Sequence, residues 1–294
     1  MLEEIYSPVH ALKHPLRSNI VVKRDDLIDP YVSGNKWRKL KYTLAAADEQ
    51  KKSHVVTFGG AYSNHLVATA AACARKGMKS TAFVRGEAVN NEMLMLCSLF
   101  GMQLIFTDRT SYREKKSLFI RHFGENQNAF FVDEGGAGET ALPGCSEIID
   151  ELPAGIDHLF CAAGTGTTAA GLLRGIRRLG LKTKLHVVPV LKDGAFIRDE
   201  ILKYNENSEA GLVLHTGYHF GGYAKTKPEL LNYIKDFIAT EGMLIDPVYT
   251  GKLFFAIDDL RASSAIPKAE KIMALHTGGI LGIWGMKDKF MPGG

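Results

Sequence analysis

Seven short apolar runs alternate with stretches of helical length along this chain of 294 residues. The runs occupy 19–22, 54–58, 80–84, 103–106, 129–132, 158–162 and 184–190. Between and after them, 35–51, 64–76, 90–100, 111–123, 145–152, 167–179, 196–205 and 228–240 carry helix-like patterns. Strand followed by helix, repeated, marks parallel sheets, because two parallel strands need a crossover and a helix supplies it. The expected fold class is therefore α/β: open, twisted parallel sheets with helices on both faces. Such sheets bind ligands outside the carboxyl ends of their strands.

Three strand-to-helix turns are rich in Gly, Ser, Thr and Asn, at 59–65, 135–144 and 164–168. No repeat or low-complexity linker separates domains. The segment 135–144 is the best candidate for a crossing between them, and it reads equally well as a functional loop.

Composition excludes several classes. A hydrophobic content of 46% and a charged content of 23% are ordinary for a globular protein. The net charge of +4 comes without a long basic run, so nucleic acid is not an expected partner. No apolar stretch approaches the roughly 18 residues that span a bilayer. The start, Met1-Leu2-Glu3-Glu4, is acidic and does not read as a signal peptide. Cys73, Cys97, Cys145 and Cys161 are far apart and fit neither zinc spacing nor a disulfide framework. They read as reduced core residues, and the expected location is the cytoplasm.

Five segments carry chemistry. Lys36 stands in Ser33-Gly34-Asn35-Lys36-Trp37-Arg38-Lys39-Leu40-Lys41-Tyr42 at the start of a helix-like stretch. Crowding by Arg38, Lys39 and Lys41 disfavours its charged form, and a neutral amine can attack a carbonyl. Ser63-Asn64-His65 opens the next helix with three polar side chains, where a cap needs only one. Free N–H groups there suit a substrate carboxylate. Gly164-Thr165-Gly166-Thr167-Thr168 opens another helix. Its glycines permit a tight turn and its N–H groups and hydroxyls suit a phosphate. It lacks both the Lys-[Ser/Thr] ending of a P-loop and G-x-G-x-x-G spacing, which favours a monophosphate over an NTP or dinucleotide. Two further polar turns are Asp246-Pro247-Val248-Tyr249-Thr250-Gly251-Lys252 and His276-Thr277-Gly278-Gly279.

In this order, from about Val22 to the end, these segments resemble the pyridoxal-phosphate enzymes that include 1-aminocyclopropane-1-carboxylate (ACC) deaminase and D-cysteine desulfhydrase, which have the tryptophan synthase β-like fold. The resemblance implies pyridoxal 5'-phosphate as cofactor, a small amino acid as substrate and a homodimer. Lys36 would form the Schiff base with the cofactor and move the substrate's α-proton. Asn64 would bond the cofactor's phenolic oxygen, and Ser63 and His65 would sit beside the substrate. Gly164, Thr165, Gly166, Thr167 and Thr168 would hold the phosphate. Tyr249 and Tyr223, the latter in Phe220-Gly221-Gly222-Tyr223, match active-site tyrosines, and Thr250 and Thr277 match cofactor-binding positions. A smaller domain over 40–138 would be inserted into a larger one formed by 1–39 and 139–294.

Within that family the residue after the tyrosine is glutamate in the deaminases, and here it is Thr250. A neutral hydroxyl leaves the cofactor's ring nitrogen less protonated, which suits β-elimination over opening a cyclopropane ring. Thr277 in place of leucine, and His65 in place of glutamine, point the same way. The resulting expectation is a D-cysteine desulfhydrase-like lyase, with ACC deaminase and a non-catalytic phosphate-ligand binding protein as alternatives. Tyr62 and Trp37 depart from the family pattern and enlarge side chains next to site residues, implying a changed pocket.

Overall fold

The computed structural model describes residues 5–291. Along the chain its strands are β1 (Val9–Ala11), β2 (Ile20–Lys23), β3 (His54–Gly60), β4 (Lys79–Arg85), β5 (Gln103–Thr107), β6 (Ala129–Phe131), β7 (His158–Ala163), β8 (Lys184–Pro189), β9 (Leu212–Leu214) and β10 (Ile272–Leu275). The α-helices are α1 (Asn35–Glu49), α2 (Asn64–Arg75), α3 (Glu92–Leu99), α4 (Arg109–Arg113), α5 (Lys115–Phe123), α6 (Leu142–Ser146), α7 (Thr167–Arg178), α8 (Ile197–Leu202), α9 (Pro228–Glu241) and α10 (Thr250–Ala262).

Two sheets result. One has the order β1-β2-β10-β7-β8-β9, the other β5-β4-β3-β6. All pairings are parallel except that of β1 with β2, an antiparallel edge that the alternating pattern did not foretell. The strands β1, β9 and β10 also went unread in the sequence. They are only three or four residues long, too short for a periodic pattern to develop. The stretch 111–123 divides at Glu114, whose ψ of 55° is not helical. Asp108 starts the first piece early by accepting from the N–H groups of Thr110 and Ser111.

Alternation along the strands explains why helices cover both faces. In the six-stranded sheet Phe160, Val188 and Ala274 pack with residues of α9 and α10, while Leu159, Cys161, Val187 and Met273 pack with α7 and α8. In the four-stranded sheet Val55 faces α1 and α2, and Phe58 stacks on Phe83 at 5.1 Å on the opposite side. A fully buried side chain of this size contributes about 1.5–3 kcal/mol, so these layers fix the sheets firmly. The four cysteines are free and buried. Among the described residues no helix is long and apolar enough to cross a membrane.

Candidate active site

The carboxyl ends of both sheets face one cavity of about 480 Å³. Gly60 ends β3, Arg85 ends β4, Ala163 ends β7, and Thr277 follows β10; all four line it. This is the position that parallel sheets reserve for ligands.

Lys36 enters the cavity from the first turn of α1. That turn is locked in place by glycine. Gly34 has a φ of +57°, and a Cβ on it would lie 1.8 Å from the Thr277 carbonyl oxygen. Asn35 N–H donates to that same oxygen at 3.2 Å. Only a residue without a side chain lets α1 begin so close to the turn after β10. Asn35 also donates through Nδ2 to Thr168 Oγ1 at 3.0 Å, tying Lys36 to the start of α7.

Burial pulls the Lys36 pKa down to about 7, and the neighbouring Lys39 adds to the effect. The sequence argument named crowding by Arg38, Lys39 and Lys41, and the structure corrects it. Arg38 is bound by Asp25 and Glu151, and Lys41 by Glu147, so neither bears on Lys36. Desolvation is the main cause and Lys39 the single cationic one. Lys39 is itself buried, donates to the Gly135 carbonyl at 3.0 Å, and has a lowered pKa for the same reason. Among the described residues the Lys36 ammonium has no carboxylate to pair with, and its side-chain partner is Asn35 Oδ1 at 3.3 Å.

At the start of α2, Ser63 occupies the cap position without a side-chain capping bond, so its hydroxyl is free to face the cavity it lines. Asn64 Oδ1 is buried without a partner. His65 has a different role. Thr57 donates to the Val132 carbonyl, so its oxygen accepts from His65 Nε2 at 2.7 Å. That fixes the tautomer, and Nδ1 lies 3.4 Å from Thr69 Oγ1. Burial, then Lys36 and Lys39, hold the His65 pKa well below its ordinary value. A neutral, doubly held imidazole forms a wall of the cavity.

The loop Gly164–Thr168 joins β7 to α7. Gly166 takes a φ of +79° and the helix follows at Thr167. Gly164, Thr165, Gly166 and Thr168 line the cavity, whereas Thr167 is buried with its hydroxyl 3.3 Å from that of Thr165. The helix N-terminus turns unpaired N–H groups and a positive dipole end toward the cavity.

Tyr249 packs on Gly164 of this loop, and Tyr223 lies edge to face with it at 6.1 Å. Burial raises both pKa values, so both phenols are neutral at ordinary pH. Tyr249 is held by Asp246, whose carboxylate accepts from the N–H groups of Val248, Tyr249 and Thr250. Thr250 differs from expectation. Its hydroxyl donates to Asp246 at 2.8 Å, is wholly buried, and lies outside the cavity lining. It caps α10. Thr277 does line the cavity. Tyr62 lines it too, but Trp37 is turned into the core among Leu40, Val55 and Ala68 and cannot narrow the pocket.

Residues missed in the sequence include Lys39, Arg85, Glu134 and Leu191. Lys39 could have been found, since it lies three positions from Lys36 on one helix face. Arg85 and Glu134 follow strand ends, where spacing alone gives no signal.

A neutral amine, an anion cradle and an orphaned amide fit a phosphorylated aldehyde: the amine for its carbonyl, the α7 N-terminus for its phosphate, Asn64 for a ring substituent. Residues 4–278 match the family model described as "Pyridoxal-phosphate dependent enzyme". The chain belongs to this family of enzymes. Similar proteins include a putative 1-aminocyclopropane-1-carboxylate deaminase of Thermotoga maritima, 30% identical, covering 97% of each chain. A bifunctional D-cysteine desulfhydrase/1-aminocyclopropane-1-carboxylate deaminase, mitochondrial, of Arabidopsis thaliana is 26% identical over 98% of this chain and 80% of its own. The crystal structure of an ACC deaminase homologue superposes with a TM-score of 0.85 at 27% identity, over 96% of this chain and 92% of that one. The chain is thus a pyridoxal-phosphate-dependent lyase of the ACC deaminase and D-cysteine desulfhydrase family.

Proposed function

We propose that this lyase removes a β-substituent from a small D-amino acid, D-cysteine being the reference case. With water, D-cysteine would yield pyruvate, ammonia and hydrogen sulfide. The observation that carries this reading is a desolvated amine, Lys36, near neutrality in a cavity whose described lining holds a single carboxylate. Among the described lining residues the only carboxylate is Glu134. Its carboxylate lies 3.3 Å from the Lys115 ammonium.

When bound, pyridoxal phosphate draws electrons from the carbon that bears the substrate's amino group. The N–H groups of Gly164–Thr168, with the hydroxyls of Thr165 and Thr168, would hold its phosphate. Asn64 would bond its ring hydroxyl. Ser63 and the free N–H groups opening α2 would take the substrate carboxylate. Lys36 Nζ is neutral enough to accept the α-proton and basic enough to return one. Neutral Tyr223 and Tyr249 can each donate a proton to a departing thiolate, which leaves as sulfide. A homodimer in the cytoplasm belongs to the same reading and rests on the family resemblance.

The second reading, ring opening of ACC to 2-oxobutanoate and ammonia, is favoured by the names of the Thermotoga maritima and Arabidopsis thaliana relatives. Supplying purified holoenzyme with each compound separates the two. Pyruvate from D-cysteine without 2-oxobutanoate from ACC supports elimination, and the reverse result rejects it. If neither product forms and added pyridoxal phosphate gives no visible absorption band, the enzymatic reading of this site fails.

A further inference from the structure

Lys252 is a third desolvated lysine beside the cavity, and the steps above make no use of it. It lies on α10, three residues past Tyr249, and is 0% exposed. Its Nζ donates to the carbonyl oxygens of His219 and Gly222, each at 2.8 Å, and approaches that of Val190 at 3.4 Å. An ammonium has three donors, and here all three meet main-chain carbonyls. Burial pushes its pKa down to about 8, with Asp246 opposing the shift.

Those carbonyls belong to two segments. Val190 follows β8, and His219–Gly222 forms the turn that delivers Tyr223 to the cavity. The turn is strained. Phe220, Gly221, Gly222 and Ala224 all have positive φ, of 52°, 99°, 122° and 54°, and two of the four are not glycine. Such a backbone persists only when its surroundings over-determine it. Its other bonds are local: Gly222 N–H to the His219 carbonyl, and Lys225 N–H to that of Gly222. Phe220 packs edge to face on Phe255 of α10 at 4.9 Å, and Lys252 supplies the hydrogen bonds that join the turn's main chain to that helix. The same helix carries Tyr249 at its cap position, so one side chain sets both tyrosines relative to each other.

We propose that Lys252 is a positioning residue, an ammonium latch that fastens the 219–222 turn to α10 and thereby directs the Tyr223 hydroxyl at Tyr249 and the cavity. The catalytic consequence rests on the proposed function; the latch itself does not.

Two measurements on the holoenzyme test it. In the first, K252M, Y223F and the double variant are compared for pyruvate release from D-cysteine. K252M lowers kcat by about 10- to 100-fold, the effect of a misplaced group. In the Y223F background it costs no more than about twofold, because both changes act through one hydroxyl. Losses that simply multiply would overturn the proposal. Binding of pyridoxal phosphate, followed by its visible band, stays within about twofold because its holding groups lie on α1, α2 and the start of α7, away from the turn. In the second, amide hydrogen exchange over 219–224 speeds up by about tenfold or more in K252M, while 164–168 is unchanged. Unchanged exchange over 219–224 contradicts the latch even in a protein that turns over neither substrate. Should K252M not fold, K252Q gives the same readouts with a shorter side chain.

Discussion

Lys36 and Arg38 sit two residues apart on the first turns of α1, both cationic by type; Arg38 is buried, and Lys36 is half-buried with its amine desolvated in the cavity. Their surroundings separate them completely. Burial would lower the Arg38 pKa, but Glu151 and Asp25 keep it above its ordinary value. Asp25 is 0% exposed and takes both Nε and Nη2 of the guanidinium. The Lys36 amine is desolvated with no acid beside it, and its pKa falls to about 7. The lesson is that burial alone does not make a cation structural or reactive. A counter-ion converts the buried charge into a clamp, and its absence converts it into a nucleophile.

The largest effect should come from breaking the clamp. Arg38→Met leaves Asp25 buried without its partner and costs about 3–5 kcal/mol. Thermal unfolding checks this, and a melting temperature unchanged by the substitution would place Arg38 outside the framework of α1.

A smaller effect of opposite sign is expected at Lys36. Its folded pKa, about 7, lies below the unfolded value near 10.5. Between these two values the unfolded chain binds more protons, so this group makes stability rise with pH. Below pH 7 both states are charged and the full penalty applies; above about 10.5 both are neutral and it vanishes. Lys36→Met should therefore stabilise the cofactor-free protein by about 1–2 kcal/mol at pH 7, as removal of strained site residues commonly does. The gain should shrink as pH approaches 10. Unfolding in denaturant across that range reads both, and a gain independent of pH would contradict the assignment.

The smallest effect belongs to Lys39→Gln. Removing this neighbour relieves a like charge, which raises the Lys36 pKa. The acid limb of the rate profile should move upward by up to about one pH unit. A limb that stays in place means burial alone sets Lys36.

Much of the site was legible in the sequence, and the limits were physical. Lys36, Ser63, Asn64, Gly164, Thr165 and Tyr249 sit at helix starts whose residue types have little other use, and the structure brings them to one cavity. The α/β class followed from periodicity, while β1, β9 and β10 were too short to register. The bond partner of Thr250 was not legible, because adjacency to Tyr249 says nothing about direction: on the first turn of α10 its hydroxyl points back to Asp246. Trp37 failed similarly, its ring lying on the core face of a helix whose neighbouring position lines the cavity. The causes of the Lys36 shift were out of reach too, since the acids that neutralise Arg38 and Lys41 are as much as 113 positions away.

The central claim is that Lys36, among three desolvated lysines of lowered pKa, is the one that holds the cofactor. Borohydride reduction of protein loaded with pyridoxal phosphate fixes the cofactor to its lysine, and peptide mass spectrometry locates the adduct. The account predicts a single adduct on Lys36, absent from Lys36→Ala. An adduct on Lys39 or Lys252 instead would contradict it.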